Sequence, residues 1–349
     1  MFAKYRVFIF LFVLQFCTFA IGAEITGAGS SAAKLLYAKW AEAYGRGVDV
    51  KLDYQPVGSS GGIKKIKERA ADFGASDVAL SPDELKRDKL ICFPSAISGV
   101  VPVFNLPGIK AGELHLTGDV LADIFARKVT KWNDPAIAAS NPGLTLPKTA
   151  IVVVARQDGS GTTYNFSDYL SKVSPAWKDA FGRNFTLAWP NEVVQVKGSG
   201  GIVTAVKQSV GAIGYVDYNY VVQDKLAYVK LRNRDGKFVA PTGDGFASAL
   251  NNSTWKAKAS FEEMLTDKPG QYTWPITMGT FVIVPQATAT PQRTIATLKF
   301  FTWAFLHGDG IVDRMDFVQL PDRVQARIYN EMTKITDQSG TPLQWSLNK

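Results

Sequence analysis

The chain has 349 residues, of which 46% are hydrophobic and 20% charged, with a mean hydropathy of -0.01. That is roughly twice the usual length of one domain in an ordinary globular composition, so two lobes are expected and a chain of many membrane spans is excluded. Two histidines and two cysteines exclude a disulfide framework and give zinc no paired ligands, while a net charge of +8 leaves nucleic acid, an acidic membrane surface and a small anion open as partners.

Lys4 and Arg6 precede an apolar run over 7–20, and the small-residue exit Ile21-Gly22-Ala23 comes before Glu24. The run is short for a membrane span, and the pattern is that of a secretory signal peptide over 1–23, cleaved after Ala23. Cys17 follows the bulky Phe16, where a lipidation site requires a small residue, so no lipid anchor is expected. Loss of the leader removes two positive charges, leaving about +6, and isolates Cys92 beside His115 and His307 as the soft ligands of the mature chain.

Residues 24–26 read as a strand leading into the turn Gly27-Ala28-Gly29-Ser30-Ser31, and Leu35, Leu36, Lys39, Trp40 and Ala43 recur at helical spacing. Residues 48–54 alternate like a strand, break at Gly58-Ser59-Ser60-Gly61-Gly62, and pass into a helix over 63–71. The run Lys64-Lys65-Ile66-Lys67-Glu68-Arg69 is the solvated face of that helix; without interleaved aromatics it is no nucleic-acid site. Asp72-Phe73-Gly74-Ala75-Ser76-Asp77 reads as a short strand and turn. Buried strands are expected over 100–104 and 281–284, and between them a helix over 120–125, a strand over 151–154, the turn Asp158-Gly159-Ser160-Gly161-Thr162, helices over 164–170 and 202–207, and a strand over 212–216. Helices over 294–305 and 321–334 complete an alternating α/β order.

Three times a strand is followed by a turn of glycine with serine or threonine and then a helix: 27–31, 58–62 and 159–162. The first N–H groups of a helix lack internal partners and carry the positive end of its dipole, and glycine admits a ligand close to the backbone, so each turn suits an anion. Such residues also cap helices without any ligand; the recurrence favours an anion site. Arg156 stands just before the third turn, where its guanidinium can fork onto an oxyanion with Asp158 as a brace. Asp77 repels an anion unless that anion carries a proton, so it either lies outside the pocket or is the acceptor for a protonated anion.

The phosphate loop of nucleotide-binding proteins, Gly-x-x-x-x-Gly-Lys-Ser/Thr, is absent. An enzymatic alternative exists. Gly58-Ser59-Ser60-Gly61-Gly62 satisfies Gly-x-Ser-x-Gly, which would make Ser60 the nucleophile of a secreted serine hydrolase with the late His307 as its base.

Thr26-Gly27-Ala28-Gly29-Ser30-Ser31, Gly58 to Gly62, Asp72 to Asp77, Asp158 to Thr162 and Gly211-Ala212-Ile213-Gly214-Tyr215 stand in an order and spacing that resemble the periplasmic phosphate-binding proteins of the phosphate ABC transporter. The likeness extends through Trp274-Pro275-Ile276-Thr277 to Leu298-Lys299-Phe300-Phe301-Thr302-Trp303-Ala304. It implies a two-lobed periplasmic binding protein of type II whose hinge is two strand crossovers. One lobe would be made of 24–103 and 275–349, the other of 104–274. Carried over onto this chain, it places Ser31, the N–H of Ala32, Ser59 and Asp77 on one side of a phosphate ion, and Arg156, Ser160, the N–H of Gly161 and Thr162 on the other. Ser31-Ala32-Ala33 departs from the usual threonine, phenylalanine and proline, keeping the hydroxyl and the N–H but not the ring. The resemblance further implies a monomer without cofactor that hands phosphate to an inner-membrane permease. Donors to a charged group are each worth about 1.5–3 kcal/mol against an association cost of about 4–15 kcal/mol. Seven or eight of them leave a surplus near ~8 kcal/mol, or micromolar affinity and tighter.

Overall fold

The structure, a computed structural model, describes residues 23–48, 50–255, 257 and 261–346. The expected leader and Cys17 lie outside the described residues.

The strand Ala23–Gly29 pairs in parallel with Val50–Gln55 on one side and Phe73–Ser76 on the other, and the helices Lys34–Tyr44 and Ser59–Lys67 make the connections. Thr277–Pro285 adds antiparallel to Phe73–Ser76, and Leu90–Phe104 adds antiparallel to Thr277–Pro285. Beyond that point the sheet changes partners. Leu90 to Gly99 run beside Pro285 to Thr277, whereas Val100 to Phe104 run beside Asp217 to Ile213 of the strand Ala212–Asp217. One strand of 15 residues therefore belongs to both halves of the molecule. Ala212–Asp217 continues in parallel to Val152–Arg156, which pairs with the edge strand Val194–Val196. The chain crosses back at residues 274–277: the Val100 N–H donates to Ile276 O at 2.8 Å, and Trp274 Nε1 donates to Val100 O at 3.0 Å. These two adjacent crossings are the connection between the halves.

Each half has its own aromatic core. In the first, Phe301 on the helix Pro291–His307 packs edge-on against Phe73 and Tyr37, with centroids 5.0 and 5.6 Å apart. In the second, Tyr215 stacks on Phe166 at 4.2 Å and Phe125 meets Phe166 at 4.7 Å. Such contacts add roughly 0.5–1.5 kcal/mol each beyond burial, which fixes the strand ends from which the site is built.

The expected alternation of strands and helices is observed, with instructive shifts. Gly27 to Gly29 stay in the first strand, so the turn is only Ser30 to Ala33. The runs at 58–62 and 159–162 are mostly the first turns of helices, which begin at Ser59 and Gly161. The helix Pro82–Asp88 was not expected because it buries no residue and so has no apolar period, yet Ser81 and Glu84 form a full capping box at its start.

Candidate anion-binding site

Strand ends and helix starts from both halves meet at one place. From the first half come Ser30, Ser31 and Ala32 after the first strand, the start of the helix Ser59–Lys67, and Asp77 after Phe73–Ser76. From the second come Arg156 at the end of Val152–Arg156, the start of the helix Gly161–Val173, and the start of the helix Gly198–Gln208. The halves touch: Gly161 N donates to Ser59 Oγ at 3.1 Å, Ser60 N to Gly159 O at 3.0 Å, and Asn165 Nδ2 to Asp77 O at 2.7 Å. This approach requires glycine at two points. Gly58 has φ 83°, and a Cβ there would lie 2.7 Å from Asp158 Oδ2; a Cβ on Gly161 would lie 2.4 Å from Ser59 Oγ.

Arg156 is buried and held by a two-point contact, Nε to Asp158 Oδ1 at 2.7 Å and Nη2 to Oδ2 at 2.5 Å. Burial raises the Asp158 pKa, but the hydrogen bonds and charge of Arg156 outweigh it and hold the carboxyl below its ordinary value. Gly198 N donates to Asp158 Oδ1 at 3.0 Å, so the brace is itself braced. The remaining guanidinium nitrogen, Nη1, points to Ser199 Oγ at 3.5 Å. Trp189 Nε1 donates to Arg156 O and Tyr215 OH accepts from Arg156 N, which fixes the strand end.

Asp77 is buried among hydroxyls. Ser30 Oγ lies 2.6 and 2.7 Å from its two oxygens, Thr280 Oγ1 donates at 2.9 Å, and Ser59 Oγ reaches it at 3.5 Å. Burial pushes its pKa up, against the opposing pull of Ser30, Thr280, Arg156 and Ser59.

Of the residues expected from sequence, Arg156 connects through Ser199 to Ser31, and Asp77 connects through Ser59 to Gly161. Ser30 ties Ala32 to Asp77. The N–H of Ala32 donates to Ser30 Oγ at 3.1 Å, the same hydroxyl that donates to Asp77. Ser160 caps its helix, with Oγ accepting from Thr163 N at 3.1 Å, and its own N–H goes to Phe185 O. Thr162 Oγ1 is buried without a hydrogen-bond partner, a donor held in reserve beside Gly161. Asp158 plays the bracing part expected of it.

Sequence reasoning missed Ser30, Thr280 and Ser199. Ser199 had a signal: Gly198-Ser199-Gly200-Gly201 repeats the glycine and serine pattern before a helix. Its preceding strand is three residues long and at an edge, which hid the fourth copy.

The alternative built on Ser60 does not find its histidine. Ser60 lines a groove with Ile63, Lys64, Tyr164 and Arg183, and no histidine lines it. His307 ends the helix Pro291–His307 beside Trp303, and His115 stacks on Phe238 at 4.7 Å.

Residues 20–306 match the family model of the PBP superfamily domain. The chain is 41% identical to the phosphate-binding protein PstS of Pasteurella multocida over 95% of this chain and 98% of that one. It is 44% identical to the PstS of Xylella fastidiosa strain Temecula1, over 87% and 84%. Among solved structures it resembles in fold the phosphate binding protein of Stenotrophomonas maltophilia (TM-score 0.68, 19% identity, 92% and 99% covered). A second is a putative phosphate ABC transporter substrate-binding protein of Clostridium perfringens with bound phosphate (TM-score 0.63, 22% identity, 85% and 100% covered). With this identity and coverage, the chain belongs to the PstS family of phosphate-binding proteins within the PBP superfamily.

Proposed function

We propose that this chain binds inorganic phosphate between its two lobes and delivers it to the permease of an ABC transporter. The observation that carries the reading is the pairing of Arg156, buried and braced by Asp158, with the buried acceptor Asp77 across a set of hydroxyl and N–H donors. Donors for an oxyanion together with an acceptor for its proton fit a protonated tetrahedral anion. Three helix starts aim their positive ends at the same place. The ligands in this reading are Ser31, the Ala32 N–H, Ser59, Asp77, Arg156, Ser160, the Gly161 N–H and Thr162. Ala32 and Gly161 would exchange their present hydroxyl partners for phosphate oxygens.

The lobe boundaries would fall near 103/104 and 274/275, close to where the long strand changes partners and the chain crosses back. The leader over 1–23 would send the mature, monomeric chain to the periplasm. No step of chemistry on phosphate is proposed, since the groups around Arg156 satisfy a ground-state ion and none activates a nucleophile.

Calorimetric titration of the mature chain with phosphate, sulfate and a chromogenic phosphate ester tests the reading. Micromolar or tighter phosphate binding at one site per chain, without ester turnover, is expected. Turnover that is lost in Ser60→Ala would replace the binding protein with a hydrolase.

A further inference from the structure

Resting on the phosphate reading above, we propose that Ser199 is a positioning residue of the anion site: it turns the hydroxyl proton of Ser31 toward the ligand and latches the two lobes. Ser199 is buried at the start of the helix Gly198–Gln208, where Lys197 provides no side-chain cap. Two of its groups converge on one oxygen. Ser199 N donates to Ser31 Oγ at 3.3 Å, and Ser199 Oγ lies 2.9 Å from the same atom.

A hydroxyl oxygen has two lone pairs and one proton. Either hydroxyl can be the donor between Ser199 and Ser31; Arg156 Nη1 donates to Ser199 Oγ at 3.5 Å, which favours turning the Ser199 proton away from the guanidinium and toward Ser31. With both lone pairs of Ser31 Oγ engaged by Ser199, its own proton is the one group left to point elsewhere, and it becomes a fixed donor. The site then has opposite polarity at its two ends: a hydroxyl that only donates at Ser31, and a carboxylate that only accepts at Asp77. An anion carrying its proton on the Asp77 side satisfies both. The arrangement also couples charge to closure, because Ser199 belongs to the lobe of Arg156 and Ser31 to the lobe of Asp77, while Gly198 N is tied to Asp158 Oδ1.

The test is a double-mutant cycle on phosphate affinity and release rate in the full mature chain, with wild type, Ser199→Ala, Ser31→Ala and the double variant. Ser199→Ala is expected to lose at least fivefold in phosphate affinity, mostly as faster release with a nearly unchanged association rate. In the Ser31→Ala background the same change is expected to cost less than twofold, since the proton it orients is gone. A folding defect would cost the same in both backgrounds, and that outcome overturns the inference. A loss below fivefold in Ser199→Ala, in a wild type that binds phosphate, overturns this inference alone. A wild type that does not bind phosphate overturns the phosphate reading and this inference with it.

Discussion

Arg156→Ala is expected to weaken phosphate binding about 30-fold to a few thousand-fold. The range follows from the cost of truncating one partner of a buried, hydrogen-bonded charge pair, about 2–5 kcal/mol, at about 1.4 kcal/mol per factor of ten. Two losses combine. The anion loses a buried cation at the meeting of the lobes, and Asp158 keeps its charge without the guanidinium that holds its pKa down. Lysine is no remedy, because an ammonium cannot hold Asp158 at two points while offering a third nitrogen to the ligand. Calorimetry of the variant beside wild type checks this; a loss under about threefold would place Arg156 outside the binding surface.

Asp77→Asn is expected to narrow the preference for phosphate over sulfate, two anions of nearly equal size that differ in carrying a proton. With sulfate bound, the Asp77 carboxylate faces an anionic oxygen with nothing between them. Two unit charges ~4 Å apart at an effective dielectric of ~20 repel by about 4 kcal/mol, or roughly a thousandfold. Asparagine removes that charge and adds a donor, so sulfate gains and phosphate loses. The Ser30 and Thr280 hydroxyls that hold the carboxylate can rotate to accept from the amide.

The pH dependence has a definite sign. Burial raises the Asp77 pKa above the usual aspartate value, with Ser30, Thr280, Arg156 and Ser59 opposing it. Asp77 therefore takes up a proton earlier than an exposed aspartate as pH falls, and the wild-type preference should shrink over that window. In Asp77→Asn it should not. The same shift makes the contribution of Asp77 to stability fully present below the ordinary aspartate pKa and lost as pH rises through the raised one. Competition titrations across pH check the preference and denaturant unfolding across pH checks the stability; an unchanged preference in Asp77→Asn means that the carboxylate does not read the proton.

The parts of this site that could be read from sequence are those where the chemistry demands unusual residues. Glycine beside serine at a strand-to-helix junction, an arginine ending an apolar strand and an aspartate ending another are rare enough to stand out. Ser30 did not stand out, because Ser30 and Ser31 are chemically alike and only the geometry sends the first to Asp77 and the second to Ser199. Thr280 sits in a strand buried throughout, where a threonine among apolar residues looks like packing. The shared strand was also half hidden. Residues 100–104 read as a buried strand, but Pro94, Ser95 and Gly99 break the apolar run before it. The structure accommodates the proline at a register shift opposite Thr280 and Phe281, so the strand continues from Leu90. That continuation is what joins the two halves, and neither propensity nor periodicity announces it.

A crystal structure of the mature chain grown with phosphate tests the binding of the ion between the lobes. One tetrahedral anion is expected between the lobes, accepting from Arg156 Nη1 and the Gly161 N–H, with one of its oxygens at hydrogen-bond distance from Asp77. An anion bound elsewhere on the chain, or one held between the lobes without contact to Arg156 and Asp77, would contradict it.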